Sequence, residues 1–180
     1  MPENNAPVVF YSWQSDLPNK TNRGLIEDAL RKACKELSAE YEEAIRVDSG
    51  IDGEAGSPDI AATILNKIDA ATVVVADVSI IGIAPVTGSN PPARRPLPNG
   101  NVMFELGYAS AFDLPIIALV PPEYPLPFPS TSMPYLRTQI DNREAIEFGL
   151  DRILLEKYKR RPPRKTPRRN PVAGGSVPPP

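Results

Sequence analysis

The order of apolar segments along the chain predicts an α/β fold built on a parallel, doubly wound sheet of four to five strands. Short β-branched runs alternate with amphipathic helical stretches from residue 7 to about 159. The strongest run, Ala71-Thr72-Val73-Val74-Val75-Ala76-Asp77-Val78, is continuously apolar rather than alternating, as expected of a central strand covered on both faces. The connections are short enough to imply right-handed crossovers. The topology expected is flavodoxin-like, with ligands at the carboxyl ends of the strands near a switch point in strand order.

In chain order, residues 7–12 read as a first buried strand, ending in the polar loop Trp13-Gln14-Ser15-Asp16. Leu25, Ala29, Ala33 and Leu37, joined by Ile26, Leu30 and Cys34, repeat at helical spacing and predict a helix over 22–40. Cys34 on that stripe reads as a small core residue rather than a nucleophile. Residues 44–48 make a weak second strand, and 49–56 a glycine-marked loop. Ser57-Pro58-Asp59 then opens a helix, with serine as cap, proline at the first helical position and an acid in the first turn; Ile60, Ile64, Leu65 and Ile68 form its apolar face. After the 71–78 strand, 80–100 reads as a Pro-, Gly- and Arg-rich loop. It is followed by a helix around 101–109 and a fourth strand at 114–120. Prolines between 121 and 134 oppose regular structure, and 141–159 predicts a last helix with Ile146, Leu150, Ile153 and Leu154 inward. One domain over 1–159 and a disordered basic, Pro-rich tail over 160–180 are expected.

Composition removes several chemistries. The 180 residues include no histidine, so histidine bases, triads and ligands are excluded, and no metal site is expected. A single cysteine cannot form an internal disulfide, and no apolar run nears the ~18–20 residues of a membrane span, so a cytoplasmic, non-membrane protein is expected. Twelve basic and twenty-two acidic residues leave 1–156 at −10, while eight of the twenty basic residues follow. The acidic body disfavours nucleic acid as a partner, except through the tail.

Glu105 stands out in Asn101-Val102-Met103-Phe104-Glu105-Leu106-Gly107-Tyr108-Ala109, where Val102, Leu106 and Ala109 fall at core spacing with Phe104 alongside. Two readings fit: a solvated charge favoured near a helix N-terminus by roughly 0.3–1 kcal/mol, or a functional carboxylate. The topology gathers Ser12, Trp13 and Asp16, then Asp48 and Ser49, then Asp77 and Ser79, at the same rim as Glu105. The segment Gly50-Ile51-Asp52-Gly53-Glu54-Ala55-Gly56 lacks dinucleotide-loop spacing and carries acids that repel phosphate. A carboxylate able to stabilise or trap an oxocarbenium-like sugar, with groups that orient its hydroxyls, suits glycosidic chemistry. Its protonation state is left open, because a helix N-terminus and apolar neighbours act oppositely on it.

Phe10-Tyr11-Ser12-Trp13-Gln14-Ser15-Asp16, Gly56-Ser57-Pro58-Asp59-Ile60-Ala61, Val75-Ala76-Asp77-Val78-Ser79 and Asn101–Ala109 together resemble the bacterial TIR-like, nucleotide-binding domains over residues 7–120. That resemblance implies an anti-phage effector that hydrolyses the nicotinamide glycosidic bond of NAD, as substrate rather than cofactor. Glu105 would be catalytic, and Tyr11, Ser12, Trp13, Asp16, Asp48, Asp77, Ser79 and Asn101 would form the nucleotide site. It further implies self-association involving the 49–57 loop and a separate activator. The motifs around Asp77 and Glu105 are also similar to nucleoside 2-deoxyribosyltransferases and deoxynucleotide hydrolases, which would make Glu105 a nucleophile and Asp77 a sugar ligand. The chain departs from these in its long proline-rich 80–100 segment and its Ser-Trp-Gln-Ser-Asp loop. A non-catalytic nucleotide-binding adaptor is the third reading.

Overall fold

The computed structural model describes residues 6–50, 60–120, 135–138 and 149–153. Strands β1 (Val8–Ser12), β2 (Arg46–Asp48), β3 (Val73–Asp77), β6 (Ile116–Leu119) and β7 (Tyr135–Thr138) form one sheet in the order β2-β1-β3-β6-β7, every pair parallel. Helices α1 (Arg23–Glu40), α2 (Ile60–Asp69) and α3 (Gly100–Ala111) connect them, and residues 149–153 are also helical. The expected doubly wound flavodoxin-like arrangement is therefore present.

Alternation along the strands makes two cores. Val9, Tyr11, Val73, Val75, Ile117 and Leu119 face α1, meeting Ile26, Leu30, Ala33 and Cys34, together with Leu150. Phe10, Val74, Ala76, Ile116 and Ala118 face the other way, onto Ile68 of α2 and Val102, Leu106 and Ala109 of α3. All five residues of β3 are buried, which explains its continuous hydrophobicity. Burial lifts the Cys34 thiol to about 12 and makes it a poor thiolate source, consistent with a packing role.

Three apolar residues do not lie where periodicity put them. Leu25 is 41% exposed, Ile60 56% and Phe104 59%. Leu25, next to the fully buried Ile26, and Ile60, the first residue of α2, face outward from the first turns of their helices; Phe104 sits on the outer side of α3, between the buried Val102 and Leu106.

The larger correction concerns residues 80–98. They form an antiparallel hairpin, β4 (Ile80–Val86) with β5 (Ala93–Pro98), paired from Ile80↔Pro98 to Val86↔Ala93. Proline cannot donate to a ladder, but in a two-stranded ribbon each strand has an outer edge that needs no partner, so Pro85, Pro96 and Pro98 are tolerated. The ribbon ends directly at Asn99, which opens α3.

The Ser57-Pro58-Asp59 helix start, most of the 49–57 loop, the 121–134 segment, Ile146 and Leu154, and the 160–180 tail lie outside the described residues. Among the described residues, no helix is long and apolar enough to cross a membrane.

Candidate active site

The sheet order places β1 and β3 side by side while the chain leaves β1 toward β2 on one side and reaches β3 on the other. This is a switch point, and a cavity of about 190 Å³ opens at the carboxyl end of β1 there. Tyr11 and Trp13 come to it from the end of β1, Gln14 and Ser15 from the following loop, and Gly50 from just past β2. Ile64 of α2, Asn99, and Asn101 and Glu105 of α3 complete it.

Glu105 enters the cavity because α3 is set by a strong cap. Asn99 Oδ1 accepts from the backbone N–H groups of Asn101 at 2.9 Å and Val102 at 3.2 Å. Val102, Leu106 and Ala109 then lie on the sheet, and Glu105 projects toward the end of β1. There Ser12 Oγ donates to Glu105 Oε2 at 2.5 Å. Burial pushes the Glu105 carboxyl above its ordinary range, and the Ser12 hydrogen bond partly opposes this. Among the described residues, Oε1 has no hydrogen-bond partner.

Trp13 forms a second wall. The Arg23 guanidinium carbon lies 3.4 Å from the indole centroid, a cation–π contact that holds the ring. Gly50 has φ +51°, and a Cβ added there would stand 3.4 Å from Trp13 Nε1, so a side chain at 50 is both strained and crowded. Tyr11 is fully buried, and its hydroxyl finds no hydrogen-bond partner among the described residues. Burial is the main cause of a phenol pKa far above normal, so this group stays protonated.

The expected rim residues separate into three groups. Tyr11, Trp13, Asn101 and Glu105 meet at the cavity, and Ser12, buried behind it, reaches it only through its hydrogen bond to Glu105. Asp16 lies beside it, exposed, its Oδ2 accepting from Asn99 Nδ2 at 2.6 Å. Asp77 and Ser79 lie beneath, 0% and 2% exposed, and do not line the cavity. Asp77 accepts from Gln14 Nε2 at 3.3 Å, Asn22 Nδ2 at 3.5 Å and the Ser79 backbone N–H at 3.1 Å. Asp48 is elsewhere, bonded to Lys67 Nζ at 2.9 Å in a separate surface depression.

Gln14, Asn22 and Asn99 were not anticipated. An asparagine followed by glycine at the start of an apolar helical run is an N-cap signal that points to Asn99. The two buried amides leave no such trace. Among the described residues, no cluster of potential ligands could hold a metal ion.

No family model matches the chain, and no curated protein matches it. Among solved structures it is similar to the CMP N-glycosidase BcmB of Clostridium botulinum. The identity is 18%, the TM-score 0.46, and the match covers 80% of this chain and 98% of that one. It is also similar to a 2-deoxyribosyltransferase from Leishmania mexicana, with 15% identity, a TM-score of 0.46, and 81% and 96% coverage. Neither is described as a TIR domain, so the TIR resemblance gains no support from them. At these values neither likeness carries an argument about activity.

Proposed function

We propose that the protein cleaves the N-glycosidic bond of a nucleoside or nucleotide, with Glu105 as the reacting carboxylate. The observation that carries this reading is a half-buried carboxylate with one oxygen held by Ser12 and the other free, inside a cavity walled by an aromatic ring. As the bond from C1′ to the base nitrogen breaks, the base leaves with the bonding pair and takes a proton from solvent. Glu105 Oε1 either bonds to C1′ or stabilises the cation by charge alone. Water then adds to C1′, loses a proton, and restores the carboxylate; an acceptor base in place of water makes the same step a transfer. Trp13 is suited to stack on the base, while Asn101 offers its amide to sugar hydroxyls.

A cavity of about 190 Å³ is below the roughly 300–1,000 Å³ common for drug-sized ligands. A single nucleoside unit is therefore the part of a substrate that this cleft would hold. Cleavage of NAD at its nicotinamide uses the same bond type and carboxylate and is the second reading, without a separate observation in its favour. Signal-dependent activation and self-association belong to that second reading.

The test is chromatographic detection of released base from a panel of ribo- and deoxyribonucleosides, their monophosphates and NAD, each with and without an acceptor base. Release from a nucleoside or monophosphate, lost in Glu105→Gln, is expected. Release from NAD alone would move the conclusion to the second reading. Full activity in Glu105→Gln, or no release from any substrate, would overturn the proposal.

A further inference from the structure

Beneath the cavity lies a knot of four polar residues, none more than 3% exposed: Gln14, Asn22, Asp77 and Ser79. Among the described residues Asp77 has no cation within ion-pair distance. Burying a carboxylate without one is unfavourable, a cost that core packing alone gives no reason to bear.

The hydrogen bonds run from this carboxylate to the helix that carries Glu105. Gln14 donates through Nε2 to Asp77 Oδ2 and to Asn22 Oδ1, both at 3.3 Å. Its carbonyl accepts from the Asp16 backbone N–H at 2.6 Å and from that of Leu17 at 3.2 Å, which fixes the turn. The turn aims Asp16 Oδ2 at Asn99 Nδ2, 2.6 Å away, and Asn99 Oδ1 in turn caps α3. One turn along α3, Glu105 returns to Ser12, two residues before Gln14, and closes the circuit.

We infer that Asp77 is a positioning residue, acting through Gln14, Asp16 and Asn99 to fix where α3 presents Glu105, rather than a ligand of the sugar. This rests on the reading of Glu105 as the reacting carboxylate.

The experiment combines steady-state kinetics on whichever substrate is cleaved with amide hydrogen exchange on the ligand-free protein. Asp77→Asn removes the charge that orders the knot and lowers kcat roughly 10- to 100-fold with KM little changed, as expected when a reacting group is misplaced. Asp16→Ala cuts the same circuit at its exposed link, where the fold is not at risk, and lowers kcat in the same sense. Adding Gln14→Glu to Asp77→Asn moves the carboxylate one step along the circuit, where it still accepts from the two turn amides and from the new amide at 77, and recovers most of kcat. In parallel, the amides of Asp16, Leu17, Asn101 and Val102 exchange faster in Asp77→Asn and slow again in the double variant. A raised KM at unchanged kcat would assign Asp77 to substrate binding and overturn the inference. So would a normal kcat in Asp16→Ala. If the wild-type protein cleaves nothing, the proposed function fails on its own, and exchange still decides the circuit: unchanged protection at Asn101 and Val102 in Asp77→Asn overturns it.

Discussion

Ser12 and Glu105 are 93 residues apart in the chain, yet the hydroxyl of one donates to the carboxylate of the other at 2.5 Å. Strand and helix thereby meet at the carboxylate proposed to react. Because this hydrogen bond opposes the upward push of burial, Ser12→Ala sends the Glu105 carboxyl still higher. If the ionised form reacts, activity rises with pH through that value, so the acid limb of the rate profile moves to higher pH. Hydrogen bonds to charged groups contribute about 1.5–3 kcal/mol, so kcat/KM at a pH below the limb falls about tenfold or more. Ser12→Thr keeps the donor and most of the rate. A limb that stays in place in Ser12→Ala would show that another group controls it.

Trp13 carries the Arg23 guanidinium on one face, so the ring is ordered before any base arrives. Stacking of one base on an aromatic ring contributes about 1–3 kcal/mol. Trp13→Ala should therefore raise KM roughly 5- to 150-fold with a smaller effect on kcat, and Trp13→Phe should recover much of the loss. An unchanged KM across a set of purine and pyrimidine substrates would remove Trp13 from base recognition.

The sheet was legible wherever burial acts on both faces of an element. Val73–Asp77 is apolar at every position but the last because α1 packs on one side of it and α2 and α3 on the other. Val102, Leu106 and Ala109 likewise announced α3, and the acid among them pointed to the candidate site. The hairpin over 80–98 was not legible. Its prolines and arginines have the composition of a loop, and only the free outer edges of a two-stranded ribbon make that composition compatible with strands. At the candidate site, the residue types able to do chemistry were visible, but the direction of a side chain was not. Asp77 ends a strand as a sugar ligand would, yet it points into a knot of amides. Gln14 and Asn22 have no periodic signal, and the motif that contains Gln14 does not show its role, because that role depends on a partner that lies 63 residues from Gln14 and 55 from Asn22.

Tyr11 buries a hydroxyl that no described group satisfies. Removing a polar atom that is buried without a partner relieves a desolvation cost of about 1–3 kcal/mol. Tyr11→Phe should therefore leave the ligand-free protein as stable as wild type or more so in urea denaturation, with the denaturant slope unchanged. A loss of more than about 1 kcal/mol would mean that the hydroxyl is hydrogen-bonded in the folded protein.

Glu105→Gln separates the demands of stability from those of chemistry. With the carboxylate gone, base release falls by at least about 10³-fold, while the amide oxygen still accepts from Ser12. Burial holds the native carboxyl above its unfolded value of about 4.3. Between these two values the folded protein binds the extra proton, so this group makes wild-type stability fall as pH rises, and the loss is complete above the native value. A neutral amide has no such dependence. The variant should therefore gain stability relative to wild type as pH rises, with the difference largest near pH 7 and smallest near pH 4. Urea midpoints of both proteins at pH 4.5 and pH 7 measure this. A difference that shrinks toward neutral pH would mean that the folded protein favours the ionised carboxylate, and that Ser12 outweighs burial at this site.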